Sequence, residues 1–237
     1  MPSNKYDPVI IRFADQNDIE KIREIEERKF VQELKQFGEY TSNAIVSDTE
    51  IWAVAQREHD GEIVATTSLK LPGHQRFGFE DVLAADKFDR GVTAEQGGLY
   101  LLPAYRKTNL NRVLGGVLGA VAYDTGAKHT VYIANSRSIK GVVGTPATEI
   151  LANVRRGNDD CVVFKSNQEP YVRSCRGELA SYLRGNYPHV ATKLQRGAVE
   201  IQVQCPVPFT VDKRMLDVLT ALKPLPDADP KLDPVKI

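Results

Sequence analysis

The chain has little of the material from which cross-linked, metal-bound or membrane-inserted proteins are built. Its three cysteines, in a chain of 237 residues, are Cys161, Cys175 and Cys205, too few and too scattered for a disulfide framework or a zinc site. No apolar run approaches the roughly 20 residues of a transmembrane helix. Residues 1–7 lack the apolar core of a signal peptide. We therefore expect a protein of the reducing cytoplasm.

The charge of the chain is balanced, which argues against a global basic surface for nucleic acids or membranes and leaves open only a local patch. Lysine and arginine total 31, as do aspartate and glutamate, so the global basic field typical of proteins that bind nucleic acids or membranes is missing. A Gly-Lys-Ser/Thr phosphate loop and a His-Glu-x-x-His zinc motif are also missing, and we expect no metal. The composition is otherwise that of a globular protein, with 42% hydrophobic residues, in a chain long enough for one domain or two.

The most informative stretch runs from Gln96 to Asn135. The apolar run Leu99–Leu102 predicts a strand buried on both faces, and Pro103 ends it because proline cannot donate to a sheet ladder. A polar segment begins at Arg106 and leads into a helical pattern of apolar residues, namely Val113, Leu114, Val117, Leu118 and Val121. The unpaired amides at the start of such a helix are suited to holding an anion.

This stretch resembles the GCN5-related N-acetyltransferase superfamily. The resemblance is carried by Leu101-x-Pro103-x-Tyr105-Arg106, by the helix that follows and by the strand Thr130–Asn135. It implies an α/β fold with a mixed central β-sheet flanked by helices. It also implies that acyl-CoA binds with its pyrophosphate on the loop formed by Arg106, Lys107, Thr108, Asn109, Leu110 and Asn111.

The loop departs from the family pattern at Asn109 and Asn111, where glycines are usual. Asparagine is among the few residues that tolerate left-handed backbone angles. We therefore expect one of the two to adopt such a conformation in place of a glycine. Its side chain would crowd a phosphate that approaches the backbone closely, which leaves open an inactive binding or regulatory module.

The N-terminal half fits the same fold. Val9–Ala14 predicts a strand, Asn17-Asp18 a helix cap, and the spacing of Ile19, Ile22 and Ile25 a helix. Ile51–Gln56 and Glu62–Leu69 predict two strands, joined at the tight-turn signal Asp60-Gly61.

The resemblance extends over residues 9–135. Within the superfamily, the branch of N-acyl amino acid synthases and acyl-homoserine lactone synthases has an Arg-x-x-Phe-x-x-Glu-like element after the first helix, which Glu27–Glu33 roughly matches. The branch implies longer acyl chains transferred to an amino acid or a signal precursor.

The second half is predicted from local patterns alone. A cap at Thr145 predicts a helix that buries Ile150, Leu151 and Val154. Further along, we expect a turn and a strand over Asp159–Lys165, a helix at Glu178–Arg184, a half-buried strand at Val199–Gln204 and a helix at Met215–Leu222. We expect residues 1–156 to form the donor-binding core, residues 157–222 to add to the same sheet or form a lid, and residues 223–237 to be an irregular proline-rich tail.

Acyl transfer from a thioester to an amine needs a base, an oxyanion donor and a group that stabilises the leaving thiolate. Family geometry implies Glu95 as the base, although a solvated carboxylate at a strand end is an alternative. Tyr100 is the candidate for the thiolate, with a core tyrosine as alternative. The resemblance further implies a role for the backbone amide of Leu101 or Leu102, and for Asn135 in contacting the cofactor. Asn135 is otherwise an ordinary turn former.

No residue suited to a covalent intermediate is evident. We therefore expect direct attack in a ternary complex, with an acyl group moving from acyl-CoA, acetyl or longer, or from an acyl carrier protein, to an amine acceptor.

Overall fold

The computed structural model describes residues 5–33, 35, 42–135, 148–157 and 159–226. Helices and strands alternate along the chain in an order typical of α/β proteins. They are β1 (Val9–Phe13), α1 (Ile19–Glu27), β2 (Glu50–Arg57), β3 (Ile63–Lys70), β4 (Thr93–Leu101), α2 (Leu110–Asp124), β5 (His129–Asn135), β6 (Thr148–Arg156), β7 (Asp159–Asn167), α3 (Gln168–Leu183), α4 (Pro188–Gln195), β8 (Phe209–Val211) and α5 (Lys213–Ala221).

The strands of the described chain form one mixed sheet in the order β6-β7-β5-β4-β3-β2-β1-β8. The β4–β5 and β1–β8 pairs are parallel and the others antiparallel. The mixed sheet flanked by helices was predicted and is confirmed. The β2–β3 hairpin is confirmed as well, and Gly61 in its turn has φ +72, a left-handed angle that favours glycine.

One face of the sheet carries the main core. Apolar side chains of α2, α3 and α5 pack there against the inner strands, and Leu114, Leu118 and Leu179 are almost fully buried. Helices α2 and α3 approach closely because α2 carries glycine at the contact: a Cβ on Gly119 would lie 2.7 Å from Cys175 Sγ. Substitution of Gly119 would push these helices apart.

The opposite face has two smaller apolar clusters. One lies under α1 and joins Ile22 and Ile25 to Trp52 and Tyr100. The other joins Phe77, Phe79 and Leu83, from the β3–β4 connection, to Val131 and Val163. A helix over one part of the face and a loop over another leave room for polar residues next to both clusters.

Two predictions for the second half are wrong. The helix predicted from Thr145 begins outside the described residues, and residues 148–156 form β6, in which Ile150 is 62% exposed. Pairing with β7 outweighs the local helix-start signal, and the β-branched residues suit a strand.

The strand predicted at Val199–Gln204 is also wrong: among the described residues, this segment pairs with no strand. Instead, Ser181 Oγ donates to the Val203 carbonyl and accepts from its amide. The next strand along the chain is β8.

Other predictions need correction at their ends. Asp18 occupies the N-cap position of α1, as predicted, but makes no capping hydrogen bond there. Its carboxylate instead completes a capping box with Asp15 one turn earlier and forms a two-bond ion pair with Arg12 at 2.7 Å. Helix α3 is longer than predicted, and α4 was not predicted. Strand β7 and helices α2 and α5 are confirmed.

No helix in the described ranges is long and apolar enough to cross a membrane, and no cluster of metal-ligating side chains occurs in them.

Candidate active site

The parallel strands β4 and β5 diverge in the middle of the sheet. Their ladder joins Thr93–Glu95 to His129–Val131 and goes no further along the described strands. Beyond Glu95, no further pair joins β4 to β5 among the described residues. We call the space between the two strands, toward their carboxyl ends, the cleft; ligands of open α/β sheets generally bind at this position.

A β-bulge in β4 lies beside this cleft. Ser68 of β3 is paired with Gly97 and Thr66 with Tyr100, so β4 carries one extra residue. Gly98 has φ +57, and a Cβ there would lie 2.6 Å from the Trp52 ring, so only glycine fits. The bulge turns Leu99 outward to 42% exposure, which corrects the prediction that this strand is buried on both faces.

Beyond the bulge, one of the two backbone amides predicted to bind the acyl donor is hydrogen-bonded within the sheet. The Leu102 amide donates to the Val64 carbonyl at 2.8 Å. Hydrogen-bonded pairs alternate along an antiparallel ladder, so the Leu101 amide is directed away from β3, toward the cleft. The geometry thus leaves Leu101 as the available donor.

The loop between β4 and α2 has a left-handed backbone at two positions. Lys107 has φ +67 and Asn109 has φ +64, so the predicted left-handed asparagine is confirmed at Asn109, and Asn111 lies in the first turn of α2. The Asn109 side chain donates to the Gln204 carbonyl at 2.9 Å. That contact directs it toward the C-terminal part of the chain.

The predicted loop residues divide into a buried and an accessible group. Thr108 is buried and its hydroxyl donates to the Tyr105 carbonyl at 2.6 Å, while the Leu110 side chain is in the core. These two shape the loop. Arg106 and Lys107 are exposed, and Asn111 is half-buried, so these are the side chains that a ligand could reach.

Arg106 is held by an ion pair that the sequence did not predict. Its Nη2 atom donates to Glu33 Oε2 at 2.5 Å, and its side chain remains 54% exposed. Glu33 ends a π-helical segment, Arg28–Glu33, that continues α1. The loose motif noted in this segment was the sequence signal for its importance.

The same segment contacts β4 at the bulge. Tyr100 is 3% exposed; its hydroxyl donates to Glu33 Oε1 at 3.3 Å and accepts from Arg28 Nη2 at 3.1 Å. Burial raises the pKa of Tyr100. Lys29 Nζ donates to the Leu99 carbonyl at 2.5 Å, and burial lowers the pKa of Lys29 to about 8.

Glu95 lies at the point where the strands separate. It is only 8% exposed, so it is not a solvated carboxylate. Its Oε2 atom accepts from the Gly78 amide at 2.7 Å and lies 3.4 Å from Lys70 Nζ. Both contacts hold the carboxylate in a fixed position at the point of divergence.

Glu95 belongs to a row of charged side chains across three strands. Register pairs Glu50 with Lys70 and Lys70 with Glu95, so the three lie on one face. Glu50 accepts from Trp52 Nε1 at 3.1 Å, and His74 Nε2 lies 3.8 Å from its carboxylate. Burial raises the pKa of Glu50 to about 7. The sequence did not predict this row, because only the register of the three strands brings its residues together.

The far wall of the cleft is formed by β5 and α3. Asn135 ends β5, paired with Cys161 of β7, and Tyr171 of α3 donates to Gln96 Oε1 at 2.8 Å. Burial raises the pKa of Cys175 to about 12, so this thiol is protonated at neutral pH. It does not supply a nucleophile.

Comparisons with known proteins address the fold. No family model matches the sequence, and no curated protein is similar to it. The structure is similar to that of BjaI, a CoA-dependent acyl-homoserine lactone synthase solved with SAM and isopentyl-CoA, at 10% identity over 90% of this chain and 99% of that one, with a TM-score of 0.54.

Two further solved structures agree. FeeM, an N-acyl amino acid synthase from uncultured soil microbes, has 14% identity over 70% of this chain and 94% of its own, with a TM-score of 0.53. A putative N-acetyltransferase from Lactobacillus plantarum has 15% identity over 68% and 99%, with a TM-score of 0.50. The chain therefore has the fold of the GCN5-related N-acetyltransferases, as the motif Leu101–Arg106 predicted.

Proposed function

We propose that the protein is an acyltransferase that moves an acyl group from acyl-CoA to an amine. The observation that carries this proposal is the divergence of β4 from β5 directly before a loop with left-handed residues and an exposed arginine. An extended thioester arm fits between diverging strands, and its phosphates fit a helix start. The fold shared with BjaI, which was solved with isopentyl-CoA, supports this proposal.

The donor would be held along the cleft from its phosphates inward. Arg106 suits the pyrophosphate because guanidinium geometry matches phosphate oxygens, and Lys107 and the amide of Asn111 lie at the same end. The Leu101 amide is directed into the cleft, where it would donate to the thioester arm or to the oxyanion. Asn135 would contact the arm from β5.

The reaction would proceed by direct attack. The amine nitrogen forms a bond to the thioester carbon, its proton passes to Glu95, and the carbon–sulfur bond breaks to release the thiolate. Tyr100 would donate a hydrogen bond to that sulfur. Glu95 is suited to its role because it lies at the point of divergence, where contacts with the Gly78 amide and Lys70 hold its carboxylate in place.

The asparagines in the loop do not favour the inactive module. Asn109 adopts the left-handed angle of a family glycine, and its side chain is bonded to the Gln204 carbonyl. The backbone turn is therefore preserved.

A second candidate is transfer of a longer acyl chain, from CoA or an acyl carrier protein, to an amino acid or a signal precursor. The π-helical segment Arg28–Glu33, packed on the bulge of β4, favours it. It lies where the related branch has its own motif.

A donor screen tests the function. Acyl-CoAs of increasing chain length are offered with mixed amine acceptors, and release of free thiol is followed. Acceptor-dependent release is expected, and the preferred length separates the two candidates. No release with any donor would contradict both.

The donor site is tested by Arg106→Ala. Calorimetric titration should show CoA binding weakened by about 1.5–3 kcal/mol, the loss expected for a charge-assisted hydrogen bond to an anion. Stability should hardly change because the side chain is 54% exposed. Equal affinities of variant and parent would remove the arginine from the donor site.

A further inference from the structure

Glu33 lies between two side chains that the proposed reaction uses. One of its carboxylate oxygens accepts from Arg106 Nη2 at 2.5 Å, and the other accepts from the Tyr100 hydroxyl at 3.3 Å. Arg106 is proposed to hold the donor's phosphates and Tyr100 to serve its sulfur. A single carboxylate thus connects the two ends of the donor site.

A donor's pyrophosphate and Glu33 are competing anions for Arg106. Two negative groups at one guanidinium repel each other, and the repulsion is strongest where the site is partly shielded from water. Glu33 is 26% exposed in this pair. Binding of the phosphates therefore carries the cost of weakening the contact between Glu33 and Arg106.

The same contact determines where the Tyr100 proton points. A tyrosine hydroxyl has one proton to donate, and here it is directed to Glu33, while Arg28 donates to the hydroxyl oxygen. The Arg28 guanidinium also lies 5.5 Å from the centre of the Tyr100 ring. Displacement of Glu33 from this position would remove the acceptor of that proton and leave it free to take another partner.

The π-helical segment provides the element that would move. Arg28, Lys29 and Glu33 each contact β4 or its following loop through a side chain. Single-turn π-helices occur frequently at functional sites.

We propose that Glu33 is an internal competitor of the donor's phosphates for Arg106, and that its displacement on donor binding frees the Tyr100 hydroxyl to face the cleft. This inference rests on the proposed function. It makes Glu33 a positioning residue, which acts through Arg106 and Tyr100.

The test is calorimetric titration of CoA into the full chain and into Glu33→Gln. Removal of the competing charge should tighten CoA binding about two- to fivefold, the factor associated with a partly exposed ion pair. Pantetheine, which has the thiol arm without the phosphates, should bind both proteins equally. The gain should disappear when Glu33→Gln is combined with Arg106→Ala.

Glu149→Gln is the matched control. It makes the same change in net charge and breaks a cross-strand pair with Lys165, at 2.9 Å, which involves neither β4 nor the loop. CoA affinity should be unchanged in this variant, so a general effect of charge on an anionic ligand is excluded.

The outcomes separate this inference from the proposed function. If the parent binds CoA and Glu33→Gln binds it equally or more weakly, the proposed competition is overturned and the proposed function stands. A gain that persists without Arg106, or one that extends to pantetheine, would also overturn it. Failure of both proteins to bind CoA would overturn the proposed function and this inference together.

Discussion

The two faces of the sheet are built from the same strands and differ in composition. The face covered by α2, α3 and α5 carries one continuous apolar cluster. The face covered by α1 carries two smaller clusters, and the charged row of Glu50, Lys70 and Glu95 lies next to them. Because successive side chains of a strand point to opposite faces, β2, β3 and β4 supply both surfaces.

This difference indicates that one face serves stability and the other serves chemistry. Burying a charge costs free energy that a partner offsets only in part, and apolar residues in its place often stabilise a protein. The charged row is therefore not explained by stability. We infer that the α2 face holds the fold together, and that the α1 face carries the groups that act on substrate.

The largest expected effect lies on the polar face. With an acceptor identified by the donor screen, Glu95→Gln should lower kcat roughly 10²–10⁴-fold, the usual contribution of a general base. Donor affinity should stay nearly constant, because Glu95 is at the opposite end of β4 from Arg106. The loss should shrink as pH rises, since more of the acceptor amine is then already neutral.

Stability measurements complete that test. The glutamine keeps an acceptor for the Gly78 amide, so the variant should remain folded in a denaturant titration. Parental turnover by a folded variant would show that another group, or water, takes the proton. It would also break the assignment of chemistry to this face.

The opposite effect is expected on the apolar face. Leu118→Ala should lower the free energy of unfolding by about 2–5 kcal/mol, the usual cost of truncating a buried leucine, because Leu118 is fully buried in α2. Denaturant unfolding measures the loss, and CoA calorimetry on the folded fraction should show parental affinity. A large change in affinity with little change in stability would reverse the roles of the two faces.

The pH dependence of the free energy of unfolding tests the role of Glu50 on the polar face. Its pKa is raised from 4.5 to about 7 by burial, so the unfolded chain releases this proton at lower pH than the folded protein does. Stability due to Glu50 therefore falls as pH rises from about 4.5 to 7, and stays low above. Between pH 5 and pH 8, the parent should lose up to about 3 kcal/mol relative to Glu50→Gln.

Unfolding curves of both proteins at the two pH values give this difference directly. Titratable groups away from Glu50 are common to the two proteins, so their contributions cancel in the difference. Identical pH dependence would mean that Glu50 is ionised in the folded protein at pH 5.

Local signals predicted every strand of the N-terminal half, whereas in the C-terminal half two of the predicted elements are wrong. The turn at Asp60-Gly61, the stop at Pro103 and the left-handed Asn109 follow from backbone sterics that neighbouring residues alone decide. The helix expected from Thr145 and the strand expected at Val199 failed because each depends on what lies beside it. A paired strand replaced the first, and contacts with Ser181 replaced the second.

The candidate site divides in the same way. Arg106, Glu95 and Tyr100 were predicted from the chain's resemblance to a known pattern, and the structure brings Tyr100 and Arg106 together through Glu33. Glu33, Glu50 and Lys70 were not predicted, because each is an ordinary charged residue in its own stretch of sequence.

The sequence by itself determined where the strand before Arg106 stops, how the following loop turns and which residues are available for chemistry, because these depend on local sterics and residue type. Only the tertiary structure decided that β4 separates from β5 after Glu95, that a bulge exposes Leu99 and that one carboxylate joins Arg106 to Tyr100. Those outcomes depend on strand register and on contacts across some 70 residues of chain, which no local pattern encodes.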